Sequence, residues 1–111
     1  MTSGYRWVVA AAGVAVLAGC GSAGVPDREP EAVGAVAEVS EDSGTVYVLF
    51  EPDAGYEYFE GTTFAVGAEV PLEGVDDAGE VAAGDRLEVW TGPCAESFPV
   101  QCTVEGVRVL D

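Results

Sequence analysis

AVAEVSEDSGTVYVLFE, Ala35 to Glu51, is written in the two-residue period of a β-hairpin. Val46, Val48 and Phe50 alternate with Tyr47, Leu49 and Glu51. Both sets are mostly apolar, so this strand is expected to be covered on much of both faces. Ser43-Gly44 marks the turn before it. On the preceding strand Val36 and Val39 are three residues apart, which breaks strict alternation. A bulge between them lets both reach the core.

The same period continues downstream. TFAVGAEV, Thr63 to Val70, reads as a third strand and DRLEVWTG, Asp85 to Gly92, as a fourth. In the fourth, Leu87 and Val89 share one face, and Glu88 and Trp90 the other. VQCTVEGVRVLD, Val100 to Asp111, is the last; it skips alternation between Val104 and Val107, with Gly106 as the bulge or bend. Pro52 to Thr62 reads as a loop or distorted hairpin. Pro71 to Gly84 reads as connection, with one short helical turn near Asp77–Val81. No segment sustains a helical period. The expected class is all-β: a small five-stranded OB-like barrel over residues 35–111, closed or nearly closed, since closure removes sheet edges.

What precedes residue 35 is of another kind. A short polar start with one cation, Arg6, leads into the uncharged run Trp7 to Val16 and then LAGC, Leu17 to Cys20. That order describes a secretory signal. The run is too short to cross a bilayer, which takes about 20 residues. Leu-Ala-Gly-Cys resembles the lipobox of bacterial lipoproteins. The resemblance implies cleavage after residue 19 and a lipid on Cys20, anchoring the chain to the membrane; two or more acyl chains make such an anchor lasting. A cleaved signal with an incidental Cys, or an uncleaved helix, are the alternatives. Residues 20–34, rich in Gly, Pro, Glu and Ala, read as a flexible tether.

All 20 acids lie after Cys20, against three cations there, Arg28, Arg86 and Arg108, a side-chain balance of −17; the chain has no Lys and no His. Such a surface repels phosphate backbones, which argues against nucleic acid as a partner. An envelope protein or a small ligand fits better. Acidity of this degree also suits Ca²⁺ binding or life in high salt, beside the plain reading of a solvated face.

GPCAESFPVQC, Gly92 to Cys102, is the chemically densest segment. With Cys20 assigned to lipid, Cys94 and Cys102 are an even remainder in an exported protein and read as a disulfide. It would enclose seven residues, contribute about 2–3 kcal/mol and pin the last two strands. Two thiolates without His leave a zinc shell half empty, so no metal is expected. Glu96 and Ser97 resemble a catalytic pair, but the chain offers no His or Lys base. Glu96, Ser97, Phe98 and Trp90 are therefore expected to fix the loop or meet a ligand: the polar groups bonding backbone within the turn, Phe98 plugging the mouth of the barrel.

AAGDRLEVWTGPCAESFPVQCTVEGVRVL, Ala82 to Leu110, resembles the C-terminal half of domain-of-unknown-function family 3221, small bacterial lipoprotein and secreted domains with a GDxVxVWxxGPxxESYPxQ pattern. Gly84, Asp85, Val89, Trp90, Gly92, Pro93, Glu96, Ser97, Phe98, Pro99 and Gln101 fall on it. The opening GAVAEVSEDSGTVYV is similar to that family's first hairpin. The resemblance covers residues 34–111 and is weak between Pro52 and Val81. It implies an OB-like barrel tethered outside the cytoplasm and carries no activity. Phe98 stands where the family has Tyr, and Cys94 and Cys102 where it has aliphatic or small residues, which supports a disulfide particular to this chain.

FEPDAGYEYFEG, Phe50 to Gly61, gathers Glu51, Asp53, Glu57 and Glu60 around Tyr56 and Tyr58. Four carboxylates offer Ca²⁺ its oxygen ligands, though not at EF-hand spacing. The two tyrosines share a face if the segment is extended, ready to stack on a sugar or to cover core edge. No cofactor is called for. The expectation is a membrane-anchored extracytoplasmic lipoprotein acting as a binding or interaction module; the alternative is a carboxylate-dependent enzyme using Glu96.

Overall fold

The computed structural model describes residues 24–110. The segment read as a signal, and Cys20, lie outside the described residues. The fold is all-β, with six strands: β1 (Ala32–Asp42), β2 (Thr45–Pro52), β3 (Thr63–Val66), β4 (Leu72–Glu73), β5 (Arg86–Ala95) and β6 (Gln101–Leu110). They form one sheet in the order β3-β2-β1-β5-β6-β4. All neighbours are antiparallel except β4 and β6.

The hairpin β1–β2 turns on Ser43 and Gly44, with Asp42 opposite Thr45. Both turn residues have positive φ, 54° and 85°. A two-residue loop of that hand matches the natural twist of paired strands. The register slips between Val36 and Glu38, leaving Ala37 as the extra residue. The slip keeps Val36 buried and lets Val39 pack on the core.

Val46, Val48 and Phe50 on β2 face inward with Phe64 and Val66 on β3, Leu87 and Val89 on β5 and Val107 on β6. Phe59, from a 3₁₀ turn over Glu57–Phe59, completes an aromatic triad. Its ring centroids lie 6.5 Å from Phe50 and 5.9 Å from Phe64, and Phe50 and Phe64 are 5.2 Å apart. Edge-on and tilted contacts at these separations add to the burial of large apolar area.

Six strands, not five, make the sheet. The additional one, β4, is a two-residue piece inside the segment read as connection, laid parallel to Val107 and Arg108. The short helical turn near Asp77 is a 3₁₀ turn over Ala78–Glu80, capped by the Asp77 carboxylate, which accepts from the Gly79 N–H at 3.1 Å. The sheet's β3 edge comes round beside the first half of β6. Thr62 Oγ1, buried, donates to the Val100 carbonyl at 3.1 Å across the gap. A groove of about 390 Å³, between Tyr47, Thr63 and Ala65 on one side and Val100, Gln101 and Cys102 on the other, separates these edges, which share no backbone ladder among the described residues.

A second correction concerns the tether. Pairing of β1 with β5 begins at Ala32, and the residues before it are docked. The Arg28 carbonyl accepts a hydrogen bond from Trp90 Nε1 at 2.6 Å. Val25 and Pro26 lie against Gly106 so closely that a Cβ there would sit 2.8 Å from Pro26 Cδ. Trp90, on the face of β5 turned away from the main core, is 1% exposed because this N-terminal strip and the Arg108 guanidinium, 5.2 Å from the ring centroid, cover it.

Candidate functional site

The β5–β6 hairpin pairs at eight positions, as many as β1–β2, and its outer end is irregular. Register slips occur between Trp90 and Thr91 and again between Thr91 and Cys94. Beyond the second slip, Cys94 faces Cys102 and the two are joined by a disulfide, their Cα atoms 4.0 Å apart. The bridge closes the base of a short loop, residues 96–100. Within it Ser97 Oγ donates to the Pro99 carbonyl at 3.0 Å, and Ser97 N donates to the Ala95 carbonyl at 2.8 Å.

Glu96 does not turn inward to the backbone. Its carboxylate is exposed and accepts the Tyr58 hydroxyl at 3.0 Å. The interaction raises the Tyr58 pKa, since a phenol donating to a carboxylate loses that bond when it ionises. Phe98, expected to plug a barrel mouth, instead stands 92% exposed at the loop's apex. The reason is local: Pro99 and Val100 turn the chain so that Val100, not Phe98, enters the core.

Between this hairpin and the 55–59 loop runs a groove of about 570 Å³. Tyr56, Tyr58 and Phe59 form one wall; Thr91, Gly92 and Cys94 form the other, with Glu31 at the end. Tyr58 packs edge-on against Phe59, centroids 5.0 Å apart. Gly55, with φ 98°, bends the loop, and its N–H donates to both Glu57 carboxylate oxygens at 3.0 and 3.1 Å. Those bonds hold the Glu57 pKa below the usual carboxylate range.

Glu31 is shaped by opposing effects. Burial pushes its pKa up, but hydrogen bonds from Arg28 and from the Thr91 N–H, the latter at 2.9 Å, together outweigh it and leave the carboxyl below its ordinary value. Arg28 also reaches Glu105 at 2.8 Å and the Thr91 carbonyl at 3.2 Å. Glu31 is thus a charged brace, committed to the docking of the N-terminal strip.

The carboxylates of the 50–61 segment do not converge. Asp53 pairs with Arg86, which lowers its pKa, and Glu57 caps its own loop. Among the described residues no three His, Cys, Asp or Glu side chains group as metal ligands. Trp90 stands apart from the groove, under the N-terminal strip. The sequence-derived set therefore separates into Glu96, Ser97 and Phe98 on the hairpin loop, the disulfide at its base, and Trp90 as a buried support. Tyr58, read as stacking on a sugar or covering core edge, joins the hairpin through Glu96. Glu31 was missed as a site residue because it belongs to a segment read as linker. No protein-family model, no curated protein and no solved structure matches the chain.

Proposed function

We propose that the chain is a lipid-anchored extracytoplasmic protein whose domain is an OB-like barrel serving as a binding module. The lipobox at Leu17–Cys20 supports the anchor, and the resemblance to family 3221 supports the setting. The OB-like reading is supported by the strand order, with β3 returning beside β6. The observation that carries the binding reading is the concentration of groove, disulfide and exposed aromatic side chains at one end of the sheet. Concave sites with aromatic walls are where proteins hold partners.

The carboxylate-enzyme alternative finds less support. Glu96 sits on an exposed loop with a Tyr hydroxyl as its partner, and Glu31, the carboxylate lining the groove, is already bonded to Arg28 and Thr91. Glu96 does not line the groove that Glu31 lines, whereas a paired acid and base would share one cleft. The test is metabolic labelling in a bacterial host. Radiolabelled palmitate should enter the wild-type protein and be absent from Cys20→Ala, with the variant released from the membrane fraction. Equal labelling of both, or equal membrane retention, would overturn the anchor.

A further inference from the structure

Among the described residues only two large hydrophobic side chains are strongly exposed, Tyr58 at 51% and Phe98 at 92%. They do not lie apart: Tyr58 is hydrogen-bonded to Glu96, two residues from Phe98. Scattered apolar residues need no account, but two strong exposures brought to one loop through Glu96 do. The patch is also held rigid. The disulfide closes the loop's base, Ser97 ties its backbone, and Pro99 packs 3.7 Å from where a Cβ on Gly61 would stand. An aromatic anchor fixed before contact loses little entropy on binding.

We infer that this stapled loop is a docking knob, and that its occupant is a protein surface with an apolar pocket for Phe98 rimmed by Lys or Arg. Charge chooses the partner. Arg28, Arg86 and Arg108 are each already paired with acids of this chain. Glu96, exposed, is two residues from Phe98 on the loop itself, and the exposed Glu57 and Glu60 flank in sequence the Tyr58 that bonds to it. A second copy of the chain would bring acid against acid, and an anionic lipid surface would do the same. A basic rim turns the same carboxylates into attraction.

Position agrees, on the reading that Cys20 carries the anchor. Gly24 lies against Glu73, which sits opposite Arg108 near the far end of β6. From Cys20 to Gly24 the chain reaches at most about 14 Å. From residue 108 back to residue 101, where the knob begins, β6 covers about 23 Å. The point where the chain leaves for the anchor and the knob are therefore at opposite ends of one strand, which leaves Phe98 clear of the attachment point.

Photo-cross-linking in the native host tests this. The full-length protein would carry benzoyl-phenylalanine in place of Phe98, with the same residue at exposed Ala83 as control. Adducts from position 98 should concentrate on one protein, at a peptide bearing apolar residues beside Lys or Arg. Yield should fall several-fold when Glu60→Gln and Glu96→Gln are combined. Against that purified partner, Phe98→Ala should weaken binding at least about tenfold with an unchanged melting temperature. Adducts on phospholipid or on a second copy, an adduct pattern equal to that of position 83, or Phe98→Ala binding within about twofold of wild type would overturn the inference. Should Cys20→Ala still be membrane-bound while the position-98 adduct persists, the anchor alone falls and the knob stands.

Discussion

Gly106 shows how one absent side chain fixes the molecule's boundary. It lies opposite Trp90 on the paired strand, and the space a methyl would occupy is taken by Pro26 and Val25. Its φ is not what demands glycine; the close approach of the N-terminal strip is. Gly106→Ala should therefore lift residues 25–28 from the sheet, break the Trp90 Nε1 bond to the Arg28 carbonyl and admit water to the indole. Overpacking of this kind costs about 1–3 kcal/mol. Trp90 is the single tryptophan after Cys20, so in a chain begun at residue 20 the emission reports on it alone. The variant should melt lower and emit at longer wavelength; unchanged emission would mean that the strip is not what shields the ring. This contact also explains a misreading of the sequence. Residues 24–31 have a linker's composition, and nothing in their own pattern announces docking. The signal lay elsewhere, in a Trp on the polar-side face of β5 that needs a cover and a Gly facing it across the ladder.

At the scale of elements, the hairpin β5–β6 depends on a covalent staple because its outer end has weak pairing. Two register slips interrupt the ladder between Trp90 and Cys94, and the loop residues beyond are exposed apart from Val100. The bridge spans eight positions in sequence. Closing a loop that short in the unfolded chain accounts for about 2–3 kcal/mol. The double variant Cys94→Ser with Cys102→Ser should lower the melting temperature by roughly 10–20 °C for a domain of this size. A midpoint within error of wild type in urea would show that the pairing of β5 and β6 holds unaided. This hairpin, like β1–β2, was legible from alternation and turn residues, and its cysteine pairing from parity. Bulges at Ala37 and beside Gly106 were legible too, as three-residue apolar spacings on otherwise alternating strands. β4 was not, because two residues have no period; Leu72 and Glu73 are strand only through β6, which they meet in parallel. The exposure of Phe98 was equally hidden. An aromatic residue between two prolines reads as a plug, and only the path of the chain shows Val100 taking the inner place.

On the whole molecule the governing quantity is a net charge of −16 carried by a small sheet. The arginines of the described residues are spent in five ion pairs, joining Arg28 to Glu31 and Glu105, Arg86 to Asp53, and Arg108 to Glu73 and Glu88. Exposed pairs of this kind add little to stability. The other acids have no cation partner among the described residues, and several gather along the chain: Glu38, Glu41 and Asp42 near the first turn, Asp76, Asp77 and Glu80 around the 3₁₀ turn. Salt screens attraction and repulsion alike, reducing the Debye length from about 10 Å at 0.1 M to about 3 Å at 1 M. The pairs are in contact and partly shielded from solvent, whereas the repulsions act across open water, so screening removes more of the second than of the first. The melting temperature should accordingly climb by several degrees as NaCl is raised to about 0.5 M, and KCl at equal ionic strength should do the same. Triple replacement Glu38→Gln, Glu41→Gln and Asp42→Asn should flatten that climb in proportion to the charge removed. A melting temperature that falls with salt would reverse the ranking, and would mean that the arginine pairs, few as they are, outweigh the repulsion among all the remaining carboxylates.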